Sequence, residues 1–345
     1  MPVVSAVLQT SFLGDMILTT PLIELLAAEG PVHVVATPAN AGVLANHPAV
    51  ASVLVFDKRG ADRGLGGLRR MARRLRAVNA ERALLAQGSS RTAALAWMAG
   101  IPERITFDTS GGRLFTTRRV PYRRDLHHAA RLWQLGNAAG RDDVPPPLRP
   151  SLHPGPADHA SVQALLDRAG VSAQEPLIAL APGSVWATKR WPHYAALAAE
   201  LVRSIGHRGE RIVVLGAAGD APLAAAIASA ALEAGGAPVV DATGQLSLLG
   251  SAALLGRCRV LVTNDSAPLH LASAMNTPTV ALFGPTVPAF GFGPLAERHT
   301  VVEHNSLDCR PCHAHGPAQC PLGHFRCMRE LSPAQVAGAA HALHG

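Results

Sequence analysis

The chain has 345 residues, 48% hydrophobic and 16% charged, with 31 Lys+Arg against 24 Asp+Glu and a formal net charge of +7. That balance excludes a disordered chain, and five cysteines in this length are too sparse for a disulfide-stapled scaffold. The length exceeds what one core usually supports, so two domains are expected, their cores built from Ala, Leu and Val because aromatics reach only 4%.

The first thirty residues read as strand, loop and helix. Val3 to Leu8 is a β-rich run, Gln9 to Gly14 is small and polar, and Ile17, Leu18, Leu22, Leu25 and Leu26 recur at helical spacing. Val32 to Val35 and Val53 to Phe56 read as the next strands. Strands alternating with helices imply βαβ units and a parallel sheet.

Residues 142–156 hold six prolines, a density that neither helix nor central strand survives, so this stretch is expected to be the linker. The alternation then resumes. Strands are expected at 177–180, 211–215, 239–241, 260–262 and 279–283, with a helix over about 192–205. The expected domains are therefore 1–150 and 151–345. Ligands of such sheets bind beyond the carboxyl ends of the strands, so those loops are where chemistry is sought.

Three strand-end loops stand out. Thr10-Ser11-Phe12-Leu13-Gly14-Asp15 sets a carboxylate at a helix start, where it is either an N-cap or a general base. Ala181 to Pro192 contains Pro182-Gly183-Ser184 and Lys189-Arg190-Trp191-Pro192. It is either an ordinary strand–helix turn or an anion site, in which small residues admit backbone amides and Lys adds a point charge. Asn264-Asp265-Ser266-Ala267-Pro268-Leu269-His270 ends a buried run and opens a helix, and Phe283-Gly284-Pro285-Thr286 ends the next strand. Free amides at such a helix start suit a pyrophosphate, or Asp265 and Ser266 merely cap the helix.

Cys309, Cys312, Cys320 and Cys327 fall within 19 residues, interspersed with His313, His315 and His324. In a reduced compartment they are either a four-thiolate structural metal finger, holding zinc or iron, or free thiols packing a loop. The charge is uneven: residues 1–150 carry 19 Lys+Arg and 11 Asp+Glu, a net of +8, against 12 and 13 in residues 151–345. Arg69, Arg70, Arg73, Arg74 and Arg76 form one basic helix face, and Arg118, Arg119, Arg123 and Arg124, with Tyr122, His127 and His128, form a second cluster. Both are either solvated faces or the meeting place for an anionic partner. Lysine survives only at Lys58 and Lys189 in a chain with 29 Arg, which makes each mildly informative.

Taken in this order and spacing, the motifs Ser11-Phe12-Leu13-Gly14-Asp15, Pro182-Gly183-Ser184, Lys189-Arg190-Trp191-Pro192, Asn264 to His270 and Phe283-Gly284-Pro285-Thr286 resemble the ADP-heptose:lipopolysaccharide heptosyltransferases of glycosyltransferase family nine. The tail with Gly323-His324-Phe325-Arg326-Cys327-Met328 is similar to the heptosyltransferase II branch. The resemblance runs over nearly the whole chain. It implies an α/β GT-B fold, two Rossmann-like domains facing an interdomain cleft, the first taking the lipopolysaccharide acceptor and the second the nucleotide sugar. The second domain includes the Cys-rich segment 309–327 and a terminal helix.

The implied reaction is inverting transfer from ADP-L-glycero-D-manno-heptose (ADP-heptose) to the lipopolysaccharide inner core, with no cofactor for catalysis. Asp15 would be the base. Ser184 and Lys189 would hold the diphosphate, assisted by amides at Ser266 and Ala267, with Lys189 offsetting the charge on the leaving ADP. Asp265 would lie near the heptose or ribose, His270 would line the pocket, Asp220 would lie near the adenosine ribose and Leu246 where adenine packs. Val185 stands where the family offers Thr. Ser11, Gly14, Arg118, Arg119, Arg123 and Arg124 would meet the acceptor.

No apolar run reaches the ~20 residues of a membrane span, and no Lys or Arg precedes Asp15, as a signal peptide would require. A cytoplasmic protein, peripheral on the inner face of the inner membrane, is expected. Two other readings compete. One is a related transferase using another nucleotide sugar or another glycan or protein acceptor. The other is a metal-finger nucleic-acid-binding protein, disfavoured because the basic residues lie mainly away from the cysteines.

Overall fold

The computed structural model describes residues 2–137, 148–205 and 210–344. The chain divides into two units, Met1–His153 and Pro154–Gly345. Unit 1 runs β1 (Ser5–Leu8), α1 (Leu13–Leu18), α2 (Thr20–Ala27), β2 (Val32–Ala36), α3 (Pro38–Ala41), β3 (Ser52–Val55), α4 (Gly64–Arg76), β4 (Arg82–Leu85), α5 (Ser90–Met98), β5 (Glu103–Phe107), β6 (Arg118–Val120), α6 (His128–Gly136). Unit 2 runs α7 (Pro156–Arg168), β7 (Leu177–Ala181), α8 (Tyr194–Ile205), β8 (Arg211–Val214), α9 (Ala221–Glu233), β9 (Val240–Asp241), α10 (Leu248–Arg257), β10 (Cys258–Asn264), α11 (Ala267–Met275), β11 (Thr279–Phe283), β12 (His299–Glu303), α12 (Arg326–Arg329), α13 (Pro333–His344).

Each unit holds one parallel six-stranded sheet, in the orders β3-β2-β1-β4-β5-β6 and β12-β11-β10-β7-β8-β9. Both follow the doubly wound pattern in which strand order reverses beside the first strand, between β1 and β4 and between β7 and β10. Central strands buried on both faces read as continuous apolar runs: every residue of Leu177–Ala181 and Thr279–Phe283 is buried. Among the described residues no helix is long and apolar enough to cross a membrane.

Two local expectations are corrected. The first helical pattern is two helices, broken at Thr19, whose hydroxyl donates back to the Asp15 carbonyl at 2.6 Å. The proline-rich stretch does not run unstructured to 156, because Pro156 opens α7, where its missing N–H costs nothing. The Gly155 amide just before it donates to Asp158 Oδ2 at 2.9 Å. Residues 142–147 of that stretch lie outside the described residues.

Residues 148–153 stay with unit 1, where a chain of hydrogen bonds ties them to α2. The Ser151 amide donates to Thr20 Oγ1 at 2.9 Å. The Ala49 amide donates to His47 Nδ1 at 3.3 Å, which leaves the ring proton on Nε2, facing Ser151 Oγ at 3.2 Å. Ser151 Oγ in turn donates to Glu24 Oε1. Burial, and next the neighbouring His153, push His47 down to about 4. At neutral pH it is therefore uncharged, and its 3.8 Å approach to Glu24 is no ion pair.

Between about pH 6.5 and 4 the unfolded chain binds a proton here that the folded one refuses, so stability rises with pH across that window. The melting temperature of the wild type should fall on acidification from pH 6.5 to 4, and the slope should flatten in His47→Gln.

Candidate active site

In unit 2 the candidate residues gather at the carboxyl ends of β7, β8, β9, β10 and β11. Lys189, in the loop after β7, and Asp265, just beyond β10, form an ion pair at 2.6 Å across the point where strand order reverses. Their side chains are 11% and 9% exposed, so water screens the pair little. Thr286, beyond β11, donates its hydroxyl to the same Asp265 oxygen at 2.7 Å. Oδ2 is thereby occupied twice.

Asn264 locks the two loops together. Its Nδ2 donates to the Pro182 carbonyl at 2.9 Å and its Oδ1 accepts the Trp191 amide at 3.1 Å. Trp191 is buried and donates from Nε1 to the Leu331 carbonyl at 3.0 Å. Ser184 is half-buried, its Oγ accepting the Trp186 amide at 3.3 Å and its carbonyl accepting Arg190 Nε at 2.8 Å. Val185 is 81% exposed.

Ser266 is the N-cap of α11 and Ala267 its first residue, and no side chain caps that end. Its first-turn amides therefore have the character of an anion site. His270, one turn on, is buried, with its ring 6.4 Å from that of Phe292.

Asp220 lies at the far side of this strand-end row. Its Oδ2 accepts the Ala217 amide at 2.9 Å. It rests so close to the β7 loop that a Cβ on Gly183 would fall 2.3 Å from Oδ2. A side chain at Gly183 would therefore displace the Asp220 carboxylate, and no unusual φ is involved. The Gly244 amide donates to the Gly216 carbonyl at 2.9 Å, which ties the loop after β9 to the loop after β8; Leu246, two residues on, is half-buried.

The Cys-rich segment packs on the lysine. Gly316, at φ +83, leaves space that a Cβ would narrow to 3.3 Å from the Lys189 stem, and Thr188 donates to the Pro317 carbonyl. The Cys312 amide donates to the Pro285 carbonyl at 2.9 Å, and Arg310 donates to the Phe283 and Thr286 carbonyls at 3.2 and 3.1 Å.

All five cysteines are free thiols. Burial, then Cys309 and Cys320, raise Cys312, and burial, then Cys312, push Cys327 up to about 11. Burial also raises Cys320, but the amides of Phe325, Leu322, Gly323 and His324 outweigh it and hold that thiol below its ordinary value. The four thiols of Cys309, Cys312, Cys320 and Cys327 thus share one neighbourhood. Their spacing is open, since among the described residues no three of them lie within 4.8 Å of one another.

Glu24, His47 and His153 do lie within 4.8 Å. The bonds described above nevertheless leave His47 Nε2 protonated and one Glu24 oxygen occupied. Glu24 and His47 are held in a hydrogen-bonded tie through Ser151, and His153 joins them only by packing edge-on against His47, its ring centroid 4.8 Å away.

In unit 1, Asp15 is the third residue of α1 and not its N-cap, which is Phe12. Asp15 Oδ2 accepts from Ser11 Oγ at 2.6 Å and from the Phe12 amide at 3.2 Å, while Oδ1 faces His128 Nε2 at 3.5 Å. Gly14 precedes it in the first turn of α1. Thr10 joins three strand-end loops: Lys58, after β3, donates to its carbonyl at 2.7 Å and to its hydroxyl at 3.2 Å, and Gln87, after β4, donates to its hydroxyl. Burial, then Arg59 and Arg91, lower Lys58. Its survival as lysine was the one sequence signal for this contact.

Arg118, Arg119, Arg123 and Arg124 are exposed at β6 and the loop after it. Arg118 lies 3.8 Å from Glu103, and Arg123 pairs with Asp125 at 2.6 Å, holding that carboxyl down at about 2. On α4 the arginines are also exposed, but Arg70, Arg74 and Arg76 donate to backbone carbonyls of their own unit. Part of that basic face is therefore structural.

Residues 68–322 match the profile of glycosyltransferase family 9 (heptosyltransferase). The chain belongs to that family and is a glycosyltransferase. It is 26% identical over 349 residues to lipopolysaccharide heptosyltransferase 2 of Salmonella typhimurium, covering 98% of this chain and 97% of that one. Among solved structures it resembles the family 9 glycosyl transferase of Veillonella parvula, with a TM-score of 0.86 and 25% identity over 99% of this chain and 97% of that one. It also resembles the E. coli ADP-heptose lps heptosyltransferase II, with a TM-score of 0.81 and 25% identity over 99% and 98% of the two chains. The GT-B fold agrees with these neighbours.

Removing one member of a buried ion pair leaves an uncompensated charge and costs about 3–5 kcal/mol, whereas replacing both with apolar groups costs far less. Urea unfolding should show Asp265→Ala strongly destabilised. The double variant Lys189→Met/Asp265→Leu should recover most of that loss.

Proposed function

We propose that this chain transfers heptose from ADP-heptose to the inner core of lipopolysaccharide, with inversion at the anomeric carbon. The observation that carries the reading is the buried Lys189–Asp265–Thr286 cluster at the strand-order reversal, beside the uncapped start of α11. An ammonium has three donors. In this cluster one is spent on Asp265, and the others are assigned to the diphosphate, with Ser184 and the amides of Ser266 and Ala267. Asp265 keeps Oδ1 for a sugar hydroxyl. Asp220 and Leu246 are assigned to the ribose and adenine, and His270 to the pocket wall.

In the proposed reaction the acceptor hydroxyl gives its proton to Asp15 Oδ1. Its oxygen bonds to the anomeric carbon as the bond from that carbon to the diphosphate breaks, through an oxocarbenium-like transition state. The pair of electrons leaves with ADP, and Lys189 and the helix amides offset the growing charge. Ser11 and Gly14 shape the loop around the base. Arg118, Arg119, Arg123 and Arg124 are assigned to anionic groups of the acceptor, which fits the net charge of +8 over residues 1–150. Peripheral binding at the cytoplasmic face of the inner membrane follows from such an acceptor. Nucleic acid has no part in this reading. Zinc or iron at the four cysteines is proposed only as a structural staple, which would have to draw the sulfurs together. No step runs through it.

Asp15→Asn keeps an oxygen for the Phe12 amide but loses the base. Transfer to heptose-deficient lipopolysaccharide should drop by about 10²–10⁴-fold, while ADP-heptose binding measured by calorimetry stays near wild type. Unchanged turnover would remove Asp15 from the mechanism.

A further inference from the structure

Asp15 has one carboxylate oxygen committed to its own loop. It is the third residue of α1, and Oδ2 spends both in-plane lone pairs on Ser11 Oγ at 2.6 Å and the Phe12 amide at 3.2 Å. Only Oδ1 remains for chemistry. A base that acts through a single oxygen must have that oxygen well aimed.

The side chain that meets Oδ1 is His128, whose Nε2 lies 3.5 Å away; the two side chains are only 11% and 17% exposed. His128 is the first residue of α6. Its place is fixed from both sides. Before it, His127 caps the helix by accepting the Ala129 amide at 3.2 Å. One turn later, the buried Arg131 clamps the loop after β6, donating to the Arg123 carbonyl at 2.7 Å, the Arg124 carbonyl at 2.9 Å and Tyr122 Oη at 2.9 Å. Its guanidinium also lies 4.9 Å from the centre of the Tyr122 ring. That ring packs edge-on against Phe107 at 5.1 Å.

From this geometry we infer that His128 is a positioning residue for the transfer: its Nε2–H donates to Asp15 Oδ1, occupies one lone pair and leaves the other aimed at the incoming hydroxyl. The separation of 3.5 Å is long for a hydrogen bond, as expected before substrate closes the site. The loop that carries Arg123 and Arg124 thus also sets the base. The inference rests on reading Asp15 as that base.

The test compares His128→Gln, whose amide nitrogen stands in for Nε2–H, with His128→Leu, which has no donor. Both are assayed for kcat and KM after thermal melts confirm folding. Leu should lower kcat by about 10- to 100-fold, the worth of a hydrogen bond to a charged group, with KM for ADP-heptose unchanged. Gln should return kcat to within about threefold of wild type. Equal loss in both folded variants, or no loss in Leu, overturns the inference. If either variant fails to fold, His128→Asn, whose shorter amide does not reach Oδ1, replaces Leu, and glycerol-stabilised Gln is assayed beside it on the same criterion. Asp15→Asn in the same assay separates the two claims: if it remains active the base assignment fails, and if it is dead while His128→Leu is fast only the positioning role fails.

Discussion

The ion pair between Lys189 and Asp265 is the contact on which the candidate site in unit 2 depends. It joins the loop after β7 to the loop after β10 across the reversal of strand order, where a doubly wound sheet leaves an opening it cannot fill. A lone ammonium there would be costly to bury and would drift towards water. Pairing with Asp265 fixes it, Thr286 fixes Asp265, and the Cys-rich segment closes over the lysine stem. The ammonium is thus fixed by the fold itself, which is what the proposed hold on a leaving diphosphate requires.

Unit 1 repeats the topology with the opposite chemistry. Its strand-end loops bring Thr10, Lys58 and Gln87 together and present a carboxylate in place of an ammonium. The parallel is one of backbone architecture. In both units the first strand of the sheet delivers the loop with the candidate residue, and the strand across the reversal supplies a group that braces that loop.

Much of this was legible in the residues, for identifiable reasons. Strands such as Leu177–Ala181 are buried on both faces and so are written as unbroken apolar runs. The loops after β7 and β10 were marked by Gly183, Lys189 and Asp265 because close backbone approach and charge need particular residue types. What local spacing does not carry are long-range partners. Nothing near Asp265 in sequence announces Thr286 or Lys189 as its partners, and His128 stood out only as part of an arginine-rich cluster. The break at Thr19 was hidden because its hydrophobic spacing stays helical, while the hydroxyl bond to the Asp15 carbonyl decides the geometry. Residue preference left Asp15 open between an N-cap and a general base, and only the backbone shows that it reaches back from one turn inside. Pro156 looked like linker because proline density cannot tell a helix start from an extended stretch.

The scarcity of lysine offers the most direct test of the central claim, that the charge held by Asp265 receives the donor's diphosphate. Protein labelled with 13C and 15N on lysine alone should give two side-chain signals, from Lys58 and Lys189, assigned with Lys189→Arg. On titration with ADP-heptose the Lys189 signal should move and saturate while that of Lys58 stays in place. Movement of Lys58 alone, or of neither signal at saturating donor, would contradict the account.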